Sequence, residues 1–133
     1  MNWRRAGILL AACALTAMLV IPATDAAMGK ARGWASKVTL KHPAPTQFVG
    51  RVSSKLRECR VARLVNVYYT DPGTGDTSLF SVQRTDKKAR YTVDLASPAY
   101  AGSYRAVIDR ARVRALQRPQ RCRGDQTPLL TVG

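Results

Sequence analysis

The sequence predicts an all-β fold: a two-sheet antiparallel sandwich of seven strands, tied by one disulfide and preceded by an export signal. Three observations lead there. Short runs of alternating apolar and polar residues recur from Ser36 to Val132, with Pro-, Gly- and Asp-containing turns between them. Residues 1–26 have the composition of a secretory signal peptide. Two cysteines, Cys59 and Cys122, remain beyond it. At 133 residues the chain has room for one core, expected over residues 36–133.

In the signal, Arg4 and Arg5 form the positive n-region, and Thr24-Asp25-Ala26 offers small residues for cleavage after Ala26. The uninterrupted apolar run, Ala6 to Ile21, is 16 residues, short of the ~20 needed to span a bilayer. An uncleaved anchor, a lipidated Cys13 in Leu10-Ala11-Ala12-Cys13 and a twin-arginine signal fit less well. The apolar run continues past Cys13, and the arginine pair lacks the flanking residues of the full motif. The expected location is therefore secreted, extracellular or periplasmic, with no transmembrane segment after cleavage. Residues 27–35, AMGKARGWA, are small and basic and are expected to form a flexible lead.

The strands follow in order. Ser36 to Lys41 alternates with period two, and His42-Pro43-Ala44-Pro45 breaks it because proline removes a ladder donor. Phe48 to Ser53 is the second strand, with Phe48, Gly50 and Val52 on one face. Leu64 to Tyr69 is rich in β-branched and aromatic residues. Thr70 to Asp76 is a dense turn signal, followed by Leu79 to Arg84. Thr85 to Lys88 turns into Arg90 to Leu95; Ser103 to Ile108 and Thr127 to Val132 complete the set. Asp109–Gln117 reads as a loop with a helical turn: Arg110, Arg112 and Arg114 alternate like a strand edge, while Arg110, Arg114 and Arg118 fit helical spacing. The core is expected from Phe48, Val52, Val65, Val67, Phe80, Val82, Tyr91, Val93, Tyr104 and Ala106.

Two cysteines in an exported chain imply one disulfide, Cys59–Cys122. A single histidine, His42, excludes a credible Ser-His-Asp set, a His-rich zinc site or a haem site. Asp71, Asp76, Asp86 and Asp125 lie beside turn residues, where aspartate caps its own backbone, and Asp71 to Asp76 lacks the spacing and the bidentate glutamate of a calcium loop. No enzyme chemistry, cofactor, metal or small-molecule substrate is implied.

The charge is the informative feature. Lys plus Arg outnumber Asp plus Glu by 22 to 8, and losing Arg4, Arg5 and Asp25 with the signal lowers the formal charge only from +14 to +13. Asp109–Arg123 holds Arg110, Arg112, Arg114, Arg118, Arg121 and Arg123 against one acid, and Arg57, Arg60 and Arg63 surround the other cysteine. A disulfide brings both sets to one end of the sandwich. Guanidinium forks suit phosphate and carboxylate, so these nine arginines are the candidate polyanion-binding residues.

The run Phe48-Val49-Gly50-Arg51-Val52-Ser53 before Cys59, then Arg63-Leu64-Val65-Asn66-Val67-Tyr68, Thr85-Asp86, Tyr91, Tyr104-Arg105-Ala106-Val107 and Cys122, resembles a group of small exported bacterial β-sandwich proteins. These in turn resemble carboxypeptidase regulatory-like (transthyretin-like, Ig-like) domains. The resemblance covers residues 36–132 and departs at Ala89, where the group has glycine. A true immunoglobulin domain fits less well, since Trp3 and Trp34 both lie outside the strands. The resemblance implies the fold; the absence of a catalytic set and the expected export lead to a non-catalytic module with a structural or interaction role at the cell envelope, the alternative being a polyanion-binding protein that uses the arginine-rich loop. The expected partner is an anionic polymer of the envelope (cell-wall polymer, acidic polysaccharide or extracellular nucleic acid) or another envelope protein.

Overall fold

The computed structural model describes residues 33–133; the expected signal peptide and residues 27–32 of the lead lie outside them. Among the described residues the chain forms β1 (Ser36–Val38), β2 (Lys41–Ala44), β3 (Gln47–Ser54), a 3₁₀ turn (Arg57–Cys59), β4 (Leu64–Thr70), β5 (Thr77–Arg84), β6 (Arg90–Asp94), β7 (Gly102–Ile108), β8 (Ala111–Ala115), β9 (Arg118–Cys122), β10 (Asp125–Gln126) and β11 (Leu130–Val132). One sheet is built on β3, with β1 and β2 on one edge and β6 on the other. The second runs β10-β7-β4-β5, with β11 also pairing β7. All these pairings are antiparallel.

The two sheets share one core. Val38, Phe48, Val52, Tyr91 and Val93 from the first meet Val65, Val67, Tyr104, Ala106 and Ile108 from the second. Phe48 lies against Tyr104 with ring centroids 4.6 Å apart, and Phe80 meets Tyr104 edge-on at 5.2 Å, arrangements favoured by the ring quadrupoles.

The strand count exceeds the expected seven, for identifiable reasons. Pro43 does not end the chain's pairing; it sits in edge strand β2, where the register against β3 is irregular and its missing N–H costs no ladder bond. Pro128 divides the last strand into β10 and β11, and the Thr127 hydroxyl and N–H bond to Ala106 across the gap. The expected loop at 109–117 is instead strand β8 of a hairpin with β9.

One core assignment fails. Val82 is 48% exposed, and Phe80 is only partly buried. A register shift lies between Val67 and Tyr68 opposite β5, so Asn66 pairs with Val82 on the outer face while Tyr68 pairs with Leu79. An extra residue in one strand reverses which side chains face inward.

The turn into β6 settles the Ala89 departure: Ala89 has φ 61°, the left-handed conformation. An alanine there costs roughly 1–2 kcal/mol. The turn is held by the Asp86 carboxylate, which accepts the Lys88 and Arg90 N–H groups at 2.8 and 2.9 Å. The Arg90 N–H bond first, helped by that from Lys88 and by the charges of both residues, holds the Asp86 carboxyl below its usual range.

Gly50 faces Tyr91 across β3 and β6. A Cβ at Gly50 would lie 2.1 Å from the Thr39 carbonyl oxygen and 2.3 Å from the Tyr91 ring. The tyrosine therefore lies over bare backbone and donates its hydroxyl to Thr39 O. Burial raises the Tyr91 hydroxyl well above the usual tyrosine range. Gly50→Ala is expected to displace that ring and cost about 3 kcal/mol. In a calorimetric scan the melting temperature should fall by roughly 15 °C; an unchanged value would show that Tyr91 does not need this space.

Candidate functional site

The arginine-rich segment turns back on itself at Leu116 and Gln117, with φ 53° and 60°. Two successive left-handed residues form the turn whose twist suits a two-residue hairpin. The side chains then alternate. Ala111, Val113, Ala115, Gln120 and Cys122 are buried or half-buried, whereas Arg112, Arg114, Arg118 and Arg121 are exposed.

The inner face packs on a second, smaller core of Leu56, Cys59, Ala115 and Cys122, flanked by Trp34, Ala111 and Val113. The Cys59–Cys122 disulfide joins the 3₁₀ turn to the end of β9, with Cα atoms 5.4 Å apart. This pairing is the expected one. Among the described residues no helix is long and apolar enough to cross a membrane.

The nine candidate arginines divide into distinct roles. Arg112 lies opposite Arg121, with Arg114 next but one along β8, so these three share the hairpin's outer face. Arg110 precedes β8 and Arg118 opens β9 beside the tip; both are exposed. Arg57 is exposed on the 3₁₀ turn. The other three hold the scaffold. Arg60 donates to the Ser54 carbonyl at 2.8 Å. Arg123 donates its Nε–H to Gly33 O at 3.2 Å.

Arg63 is 4% exposed and does not belong to the surface. Its guanidinium donates to the Cys59 carbonyl at 2.9 Å, the Arg123 carbonyl at 3.0 Å and the Asp109 carbonyl. Desolvation pulls its pKa below the usual arginine value, partly countered by the Asp109 charge. It ties together the chain before β4, the entry to β8 and the exit from β9.

Trp34 was expected in a flexible lead, yet it lies beside Cys122 in parallel pairing. Its N–H donates to Arg121 O at 2.8 Å, and its carbonyl accepts the Arg123 N–H at 2.9 Å. The indole N–H donates to Gln120 Oε1 at 3.0 Å. Gly33 permits the approach, since a Cβ there would stand 2.7 Å from Arg121 O. Gly33, Trp34, Pro119, Gln120 and Arg121 line an open hollow of about 530 Å³. No local pattern around Trp34 foretells this, because its partners lie 86 and more residues away.

His42 stacks on Phe48 at 4.5 Å, and its Nδ1 lies 3.0 Å from Gln47 O, a packing role. Among the described residues no group of three His, Cys, Asp or Glu side chains converges as a metal site. No family model, curated protein or solved structure matches this chain.

Proposed function

We propose that the protein is a non-catalytic exported β-sandwich module of the carboxypeptidase regulatory-like kind, and that it holds an anionic polymer of the cell envelope on the outer face of the β8–β9 hairpin. The observation that carries this reading is the placement of Arg112 directly opposite Arg121, with Arg114 on the same face. Like charges placed opposite each other destabilise a strand pair. A bound polyanion reverses the sign of that interaction, and guanidinium forks take its carboxylate or phosphate groups two bonds at a time. Two nearby acids are engaged elsewhere: Asp109 accepts the Asn66 amide at 3.4 Å and Asp125 accepts the Val38 N–H at 2.8 Å. The disulfide and the small core beneath the hairpin hold it in place, which lowers the ordering cost of binding.

Duplex DNA, a polyanion of fixed charge spacing, serves as the probe. Replacing Arg112, Arg114 and Arg121 together by serine should reduce the slope of log affinity against log salt by about 3. Replacing the exposed Lys37, Lys41 and Lys55 removes the same charge and should change the slope by less than about 1. Equal changes from the two triple variants would mean that net charge alone is responsible and that the hairpin is no site.

A further inference from the structure

We infer that the outer face of the β10-β7-β4-β5 sheet docks a second polypeptide, which brings an acidic side chain flanked by apolar residues to Arg105. The site is independent of the arginine-rich hairpin, since β8 and β9 form a separate two-stranded sheet.

Strand register assembles the face. Val107 pairs with Asn66 and Gln126, and Asn66 pairs with Val82. Two residues along, Arg105 pairs with Tyr68, and Tyr68 with Leu79. Two further along β4, Thr70 pairs with Thr77. Alternation sets the side: Tyr104, Ala106 and Ile108 are buried in the core, so Arg105 and Val107 between them point outward and are half-buried. The outer face of an antiparallel sheet is ordinarily polar. Here Leu64, Leu79, Val82 and Leu129 stand on or beside it, four of the six large apolar side chains exposed among the described residues. Apolar exposure gathered in one place marks an interaction surface.

Arg105 sets the charge of the partner. It lies in a hollow of about 170 Å³ with Tyr68, Thr70, Thr77, Gln126 and Leu129. Its Nε–H is enclosed and meets no acceptor, and among the described residues no carboxylate pairs with its guanidinium. A partly desolvated cation without a counter-charge is costly, and a carboxylate offsets that cost. The acids next to β7 and in β10 are bonded elsewhere, Asp109 to the Asn66 amide at 3.4 Å and Asp125 to the Val38 N–H at 2.8 Å. The other arginine of this face, Arg84, donates to the Ala62 carbonyl at 3.0 Å. The Thr70 and Thr77 hydroxyls lie 2.8 Å apart and share one hydrogen, so the second hydrogen is available to an incoming oxygen.

Two features fix the form of the ligand. The hollow is smaller than the roughly 300 Å³ at which small-molecule sites begin, and suits a single side chain. Apolar groups flank Arg105 on both sides: Leu79 lies beyond Tyr68, and Leu129 immediately precedes β11, on the other side of β7. A chain that covers both must carry its carboxylate internally, on aspartate or glutamate, and not at its C-terminus. A second copy fits less well, because the strands of this face turn no acid outward to meet Arg105.

The probes are the peptide acetyl-Val-Leu-Glu-Leu-Val-amide, its glutamine counterpart, and acetyl-Val-Leu-Val with a free carboxylate, each titrated into the isotope-labelled protein. The glutamate peptide should shift the Arg105 Nε–H resonance saturably and bind about tenfold tighter than the glutamine peptide, the order of one charge-assisted bond. Arg105→Met should bring the two peptides within about twofold of each other. Arg112→Met on the hairpin removes the same charge and should leave the tenfold preference. Leu79→Ser should weaken both peptides by a similar factor, about fivefold.

Equal affinity of the glutamate and glutamine peptides, or a preference that survives Arg105→Met, would overturn the assignment. So would tighter binding of the free-carboxylate peptide, which would make the hollow a C-terminus site. Concentration-dependent dimerisation abolished by Leu79→Ser would give the face to a second copy instead. An Arg105 resonance unmoved by every peptide would leave the guanidinium to water and remove the docking site. If Arg105→Met does not fold, the titration of the parent protein decides alone, by whether the glutamate peptide is preferred and moves the Arg105 resonance.

Discussion

Replacing Arg63 by methionine is expected to lower stability by about 4 kcal/mol. The substitution keeps the length and apolar stem of the side chain but removes the donors to the Cys59, Asp109 and Arg123 carbonyls. A buried acceptor left without a donor costs roughly 1–3 kcal/mol, and three are affected. The melting temperature should drop by roughly 20 °C for a domain of this size. Arg63→Lys should recover only part of the loss, because a single ammonium cannot reproduce the fork that reaches three carbonyls. The separating measurement is hydrogen exchange. The amides of β8 and β9 should lose protection first, since this guanidinium joins both ends of the hairpin to the chain before β4. A variant as stable as the parent would show that water replaces the fork without loss, and that Arg63 is available for the charged surface after all.

Removing the Cys59–Cys122 bridge should have an effect of similar size. It closes a loop with a sequence separation of 63, and loop-closure entropy assigns such a bridge about 4 kcal/mol. The measurement is equilibrium denaturation of the protein with and without reductant, with the Cys59→Ala/Cys122→Ala double variant as a control. Reduction should lower the midpoint, and the double variant should match the reduced parent. The loss should fall on the small core of Leu56, Ala115 and Trp34 before it reaches the core between the two sheets, which shares none of these residues. An unshifted midpoint would sink the entropic account.

The two predictions are coupled, because Arg63 bonds the carbonyl of Cys59 itself. In the double variant lacking both the fork and the bridge, the combined loss should fall below the sum by more than about 0.5 kcal/mol, as expected for groups sharing one partner. Additive losses would mean that the fork and the bridge secure independent parts of the chain.

Much of the β framework could be read from residue order, because strand formation leaves a local signature. Phe48, Val52, Val65, Val67, Tyr91, Val93, Tyr104 and Ala106 alternate with polar neighbours, and all are buried. The disulfide followed from the even count of two cysteines beyond the expected signal peptide. The positive charge and its concentration between Asp109 and Arg123 are likewise written in the residues themselves. Each of these depends on a residue and its near neighbours, or on a count.

What the tertiary structure decided depends on partners distant in sequence. The hairpin at Leu116 and Gln117 carries none of the Gly or Asn that usually announce paired left-handed residues; the packing of Ala115 and Cys122 beneath it compensates for that backbone cost. The register shift in β5 moved Val82 outward, and only its pairing with Asn66 reveals this. Nine arginines of equal chemistry became three kinds of residue, because burial and available carbonyls, not identity, determine whether a guanidinium faces water or the backbone. Trp34 passed from a supposed flexible lead to the wall of a hollow through bonds to Gln120 and Arg121, a juxtaposition that no local pattern records. The residues set how much charge this end of the molecule carries. The fold set which of those charges face water and which bond to backbone carbonyls, because that depends on neighbours brought together from distant parts of the chain.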